Sequence, residues 1–195
     1  MTGRGGAWRR PRPARSGSAA GVTLLELIFV LGLVSVLAGM AIPQAMAGIE
    51  RSRTVGAARY LAARMGLARA VAVARSANVA LLFLADARGF AVGVYRDGNR
   101  NGVRARDIKT GTDPVVDEPV RISDLFPGVT LSLNDPSNTD ESILMSFAPI
   151  GTASSGTVYL RGRDGSQYAV RVLGATGRAR VLRYLPGTRA WVDVF

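Results

Sequence analysis

Three groups of side chains in this sequence have types and spacings that could do chemistry. The first is a single acid, Glu26, inside an otherwise apolar run from Val22 to Ile42. A carboxylate within a bilayer costs on the order of 2.5–3.5 kcal/mol at the centre and less near the edge, so this one calls for a partner. The second is Asp97-x-Asn99-x-Asn101-Gly102, with oxygen-bearing side chains at alternate positions and a glycine after them. It matches the first half of a calcium loop. The second half fails, because Ile108 stands where a bidentate Glu belongs and Asp107 is one position short. Asp113, Asp117 and Glu118 could supply more distant oxygens. The competing and preferred reading is an exposed loop whose Asp and Asn side chains cap its own turns. The third group is Arg171, Arg178, Arg180, Arg183 and Arg189 in the last quarter. On an extended strand Arg178 and Arg180 point to one face and Arg183 to the other, so only part of the set could form a phosphate-binding patch. No aromatic interleaving supports stacking on single strands, although Tyr184 and Trp191 are nearby.

The rest of the composition points away from catalysis. There is no cysteine and no histidine among 195 residues. Thiolate nucleophiles, imidazole bases and the usual zinc sites are therefore excluded. Lys109-Thr110 looks like the end of a phosphate loop, but Ile108 precedes it, and neither GxSxG nor GxGxxG occurs. No catalytic residue, no cofactor beyond the calcium candidate and no small-molecule substrate are expected. The formal charge is +11, but Arg4, Arg9, Arg10, Arg12 and Arg15 all precede residue 21; without them 20 basic residues face 14 acidic ones. Lys109 is the one lysine, an arginine bias that a GC-rich genome explains as well as phosphate recognition does.

The elements that must position these groups follow from periodicity. Val22 to Ile42 is 21 residues, and as a helix it would span roughly 30 Å, a hydrocarbon core. Five arginines lie before it and three (Arg51, Arg53 and Arg59) soon after. That bias predicts a cytoplasmic N-terminus with the body of the chain outside the inner membrane. A secretory signal cleaved after Ala47 is a poorer account, since the apolar run is too long and Pro43 interrupts it. A plain membrane anchor explains the length but not Glu26. Beyond Pro43, Ala57, Leu61, Met65, Ala68 and Ala72 make one helical stripe, widened by Tyr60, Leu67 and Val71, while Arg64 falls inside it. The helix is predicted to run to about residue 76, with Pro43 as a kink.

From Asn78 the period becomes that of strands, at Val79–Leu84, Phe90–Tyr95, 128–134, 143–148, 156–161, 167–173, 179–185 and 190–194. Asp86-Ala87-Arg88-Gly89 and Arg163-Asp164-Gly165-Ser166 read as hairpin turns, the second as a primed turn. The expected fold is α+β: one long N-terminal helix packed on an antiparallel sheet of seven or so strands.

Gly21-Val22-Thr23-Leu24-Leu25-Glu26-Leu27 resembles the processing site of type IV prepilins and pseudopilins, a glycine followed by F-T-L-x-E. The head, with Ser146-Phe147-Ala148-Pro149-Ile150-Gly151, Gly156-Thr157-Val158-Tyr159-Leu160, Gly177-Arg178-Ala179-Arg180-Val181 and Val94–Gly102, resembles the GspH/FimT branch of minor pseudopilins and pilins. The resemblance implies a pilin-like fold with a leader at 1–21, a long helix at 22–76 whose first part, 22–42, is transmembrane, and a β-rich head at 77–195. It implies cleavage by a prepilin peptidase between Gly21 and Val22 and N-methylation of Val22, although Val stands where most relatives have Phe. Glu26 would then neutralise the new amine, its own or a neighbour's, during assembly. The partners implied are the peptidase, other minor and major pilins or pseudopilins, and the inner membrane. The filament is a type II secretion pseudopilus or a type IV pilus, with this chain near its tip. Some FimT-type relatives take part in DNA uptake, and that makes DNA binding by Arg178, Arg180 and Arg183 the alternative to a solvated or subunit-facing strand.

Overall fold

The computed structural model describes residues 21–133 and 142–194. Residues 1–20 of the leader expected over 1–21, and Asn134 at the end of the strand expected over 128–134, lie outside those residues. The chain divides into two units, one ending at Ile42 and the other beginning at Pro43. Helix α1 covers Leu24–Arg75, 52 residues, and contributes to both. Helical residues lie on either side of Pro43, so the proline removes one N–H from the ladder without ending the helix.

In the first unit every residue from Gly21 to Ile42 is exposed. Leu25 is 81% exposed and Phe29 73%, values no water-facing helix sustains for a whole stretch without a partner or lipid. The Ser35 hydroxyl donates to the Leu31 carbonyl at 2.7 Å, as a hydroxyl in an apolar setting must.

The second unit is built on the remainder of α1. Its strands are β1 (Val79–Asp86), β2 (Gly89–Arg96), β3 (Val115–Arg121), β4 (Thr130–Leu133), β5 (Ser142–Phe147), β6 (Gly156–Arg161), β7 (Gln167–Leu173), β8 (Arg178–Leu185) and β9 (Ala190–Asp193), with short helices α2 (Ala105–Lys109) and α3 (Ile122–Leu125) between them. The expected single sheet is two antiparallel sheets, ordered β3-β2-β1-β5 and β4-β6-β7-β8-β9. Strand pairing follows the hairpins, but β5 returns to β1 and β4 reaches forward to β6, connections that local pattern does not reveal.

Ala57, Leu61, Met65, Ala68 and Ala72 are wholly buried, as the stripe predicts. They form one core with residues of both sheets, among them Phe83, Phe147, Leu160 and Val170. Each large side chain removed from water there contributes about 1.5–3 kcal/mol. Two corrections concern the stripe. Leu67, expected to widen it, is 42% exposed, and Arg64, expected to spoil it, is itself buried, at 3% exposed.

Arg64 earns that place through β3, a strand not foreseen because Asp117, Glu118 and Pro119 interrupt its apolar residues. Proline and acids are tolerated in β3 because it is an edge strand, paired only with β2 and bulged twice. The Arg64 guanidinium donates to Asp117 at 2.6 Å, to the Glu118 carbonyl at 2.7 Å and to the Tyr60 hydroxyl at 3.1 Å. The 163–166 segment does join β6 to β7, but not by a primed turn. Gly165 alone has positive φ there, +81°, and the Gly162 N–H closes a longer loop by donating to the Ser166 carbonyl; a type I′ turn needs two such residues.

Candidate functional site

At the start of α1, Thr23 acts as the N-cap. Its Oγ1 accepts the Glu26 N–H at 3.2 Å, and its carbonyl accepts the Leu27 N–H at 3.1 Å. Thr-x-x-Glu is the spacing of a capping box, a signal already present in the sequence that points to Thr23 as well as to Glu26. The helix therefore begins two residues after Val22, and Glu26 falls in its first turn, where the helix dipole favours a negative charge. Glu26 is exposed, and its carboxylate has no side-chain partner among the described residues. An acid one turn from residue 22, on a helix with no other charge before Glu50, is free to meet a cation.

The Asp97 loop is closed by its own donors. Asp97 is buried, accepting N–H groups from Gly102 at 2.8 Å and Asn99 at 3.1 Å and the Asn78 amide at 3.3 Å. Asp113, equally buried, accepts the backbone N–H of Gly98 and of Arg104, each at 3.0 Å. The Asn99 and Asn101 amides donate to Asp107. Of the distant acids only Asp113 joins this loop, since Asp117 is held by Arg64. Among the described residues no group of three or more acids is placed to hold a metal ion. The carboxylate oxygens face N–H donors rather than one common centre, the arrangement of a loop that caps itself.

Burial alone would raise the Asp97 carboxyl. The bonds from Gly102, Asn78, Asn99 and Arg100 outweigh it and hold the group below its ordinary value. A depressed folded value means that Asp97 contributes its stability in full above about pH 3.9, the unfolded value, and loses it as pH falls through the lower folded one. Thermal denaturation across that acid range should therefore show a steeper loss for the wild type than for Asp97→Asn. Equal slopes would mean that Asp97 titrates alike in both states.

The arginines separate as alternation requires. Arg178 and Arg180 are exposed on β8, and Arg180 pairs with Asp193 at 3.2 Å. Arg183 lies opposite the buried Tyr168 in register, on the other face. Arg59 of α1 joins Arg178 and Arg180 around a cleft of about 560 Å³. No aromatic ring lines that cleft among the described residues, but three gather elsewhere on the head. Tyr159 of β6 and Tyr184 of β8 both meet Trp191 of β9, with ring centroids 5.6 and 5.3 Å apart. Tyr159 escaped notice because its nearness to Trp191 depends on strand order, not on sequence distance.

The comparisons with known proteins bear on the whole arrangement. The family described as Type II transport protein GspH matches residues 57–177. The pilin-like protein PilA1 of Thermus thermophilus is 41% identical over 81 residues, which is 41% of this chain and 51% of that one. The chain thus spans about half the length of the curated relative it matches. Among solved structures, similarity extends to the minor pseudopilin EpsH of the Vibrio cholerae type 2 secretion system, with TM-score 0.47, 11% identity, and 67% of this chain and 97% of that one covered. It extends also to the type IV minor pilin FimU of Pseudomonas aeruginosa PAO1, with TM-score 0.45, 18% identity, and 75% and 98% covered. With the family match extending over more than half of its length, this chain belongs to the GspH family of type II transport proteins, within the pilin and pseudopilin group that its N-terminal motif resembles.

Proposed function

We propose that this chain is a minor structural subunit of a type II secretion pseudopilus or a type IV pilus, and performs no catalysis itself. Residues 22–42 hold it in the inner membrane, with the head on the periplasmic side, until a prepilin peptidase hydrolyses the Gly21–Val22 bond. The Val22 amine is then methylated, and the subunit enters the filament near its tip, where it helps to initiate assembly with other minor and major subunits.

The observation that carries this reading is the first unit of α1, exposed apolar surface throughout with one unpartnered carboxylate four residues from Val22. Lipid covers such a surface before assembly and the helices of other subunits cover it afterwards. Inside that apolar bundle an uncompensated carboxylate is costly, so Glu26 favours the register in which a Val22 amine neutralises it.

Mass analysis of the chain expressed with and without a prepilin peptidase tests the reading. Peptidase-dependent loss of residues 1–21 and a methyl group on Val22 are expected. Glu26→Ala should still be cleaved but fail to enter filaments. Cleavage after Ala47, an intact leader, or normal filament entry of Glu26→Ala would each overturn the proposal.

A second reading, a head that captures DNA, draws on the three arginines of the Arg59–Arg178–Arg180 cleft. Such a site would act through phosphate contacts and weaken steeply with salt. Arg183, on the opposite face, takes no part in it.

A further inference from the structure

The outward face of the second sheet carries a second, differently built depression. We propose that it is a binding site for an anionic saccharide of the polyuronate type, separate from the arginine cleft and independent of the filament role.

Cross-strand register assembles it. Thr130 pairs with Arg161 and Ser132 with Tyr159, Arg161 pairs with Gln167 and Tyr159 with Ala169, and Tyr184 pairs with Trp191. Residues directly opposite one another share a face, so all of these side chains project from one side of the sheet. Tyr159 and Trp191 belong to strands separated by β7 and β8, roughly 14 Å in the hydrogen-bonding direction. Their rings nevertheless approach to 5.6 Å, so both lean inward over the residues between them. Ala169 and Leu182, on this outward face, are for that reason only 1% and 9% exposed. The rings leave a depression of about 450 Å³ beside them, edged by Thr130, Ser132, Arg161 and Gln167. That volume falls within the roughly 300–1,000 Å³ usual for ligand sites.

The chemistry of the lining selects the ligand. The π face of Tyr or Trp is negative and attracts the weakly positive C–H face of a sugar ring, which is also apolar enough to cover it. Hydroxyls above and below that ring need partners that both donate and accept, as two hydroxyl side chains and one carboxamide can. Arg161 is exposed, and among the described residues no acid lines the depression and its guanidinium has no partner. A guanidinium fork fits a carboxylate in bidentate fashion, which favours a uronate over a neutral sugar. A nucleic acid would instead call for a cation near each successive phosphate. The same face carries Arg171, Arg178 and Arg180 as well, but none of them lines this depression, and Arg180 is already paired with Asp193.

Isothermal titration of the full chain in a sugar-free polyoxyethylene detergent tests the assignment with three probes: alginate hexasaccharide, dextran hexasaccharide and a single-stranded oligodeoxynucleotide. Saturable binding of alginate is expected, weakened roughly tenfold or more by Trp191→Ala and by Gln167→Ala. Arg161→Gln should abolish the preference for alginate over dextran, while the double substitution of Arg178 and Arg180 by Gln should change neither. Gln167→Ala alters no packed core residue, so its effect cannot be assigned to unfolding. Absence of saturable alginate binding, equal affinity of wild type and Gln167→Ala, or tighter binding of the oligodeoxynucleotide would overturn the proposal. Loss through Arg178 and Arg180 would overturn it too and move the ligand to the arginine cleft.

Discussion

Replacing Arg64 by alanine is expected to destabilise the second unit by about 2–4 kcal/mol, a fall of roughly 10 °C in thermal midpoint for a unit of this size. The side chain is 4% exposed and reaches Asp117, the Glu118 carbonyl and the Tyr60 hydroxyl from one guanidinium. It also lies over the Tyr60 ring at 5.6 Å. Truncation removes all four contacts and leaves a void in the stripe. The cost stays below the upper range for breaking a buried pair because Asp117, left behind, is 39% exposed and can be hydrated. Arg64→Met should recover part of the loss by filling the volume, since Arg64 Nε has no hydrogen-bond partner among the described residues even in the wild type. Asp117→Asn should cost less than Arg64→Ala, because the carbonyl and hydroxyl bonds survive it. Circular dichroism melts of the full chain in detergent would decide; equal midpoints for wild type and Arg64→Ala would show that the latch between α1 and β3 carries no net stability.

Gly177→Ala is expected to be comparably damaging, about 2–4 kcal/mol, from two separable sources. Gly177 has φ +60°, where an added Cβ costs roughly 1–2 kcal/mol. The same Cβ would also stand 2.4 Å from the Gly151 carbonyl oxygen and 3.1 Å from Arg69 Cδ. That carbonyl accepts from Arg69 Nε at 3.2 Å, so relieving the clash means moving the 148–151 turn away from the helix it is tied to. Gly165 provides the comparison, having φ +81° with nothing within 4 Å of its added Cβ. Gly165→Ala should show the backbone cost alone, and the difference between the two melts measures the close approach. Identical losses at both positions would mean that the turn yields freely.

Much of this protein is local and was therefore legible along the chain. The apolar run with Glu26, the helical stripe from Ala57 to Ala72 and the strands at 156–161 and 167–173 all depend on interactions within a few residues. So do the turn-capping side chains of Asp97, Asn99 and Asn101, whose partners lie mostly within the same loop. Arg64 looked like a fault in the stripe because its partners are some fifty residues away, on a strand too polar to read as one. The aromatic group was missed for the same reason, since Tyr159 and Trp191 meet only once β7 and β8 have been placed between them.

By itself, then, the sequence determined the membrane-length helix, the position of its acid and cap, the family and the alternating character of the head, because periodicity and composition act at short range. Only the tertiary structure decided that the head is two sheets rather than one, that a buried guanidinium joins α1 to an edge strand, and that aromatic and polar side chains from five strands share one outward face. Those outcomes depend on strand order and register, set by which distant faces bury most apolar area together, and no window along the chain contains that information.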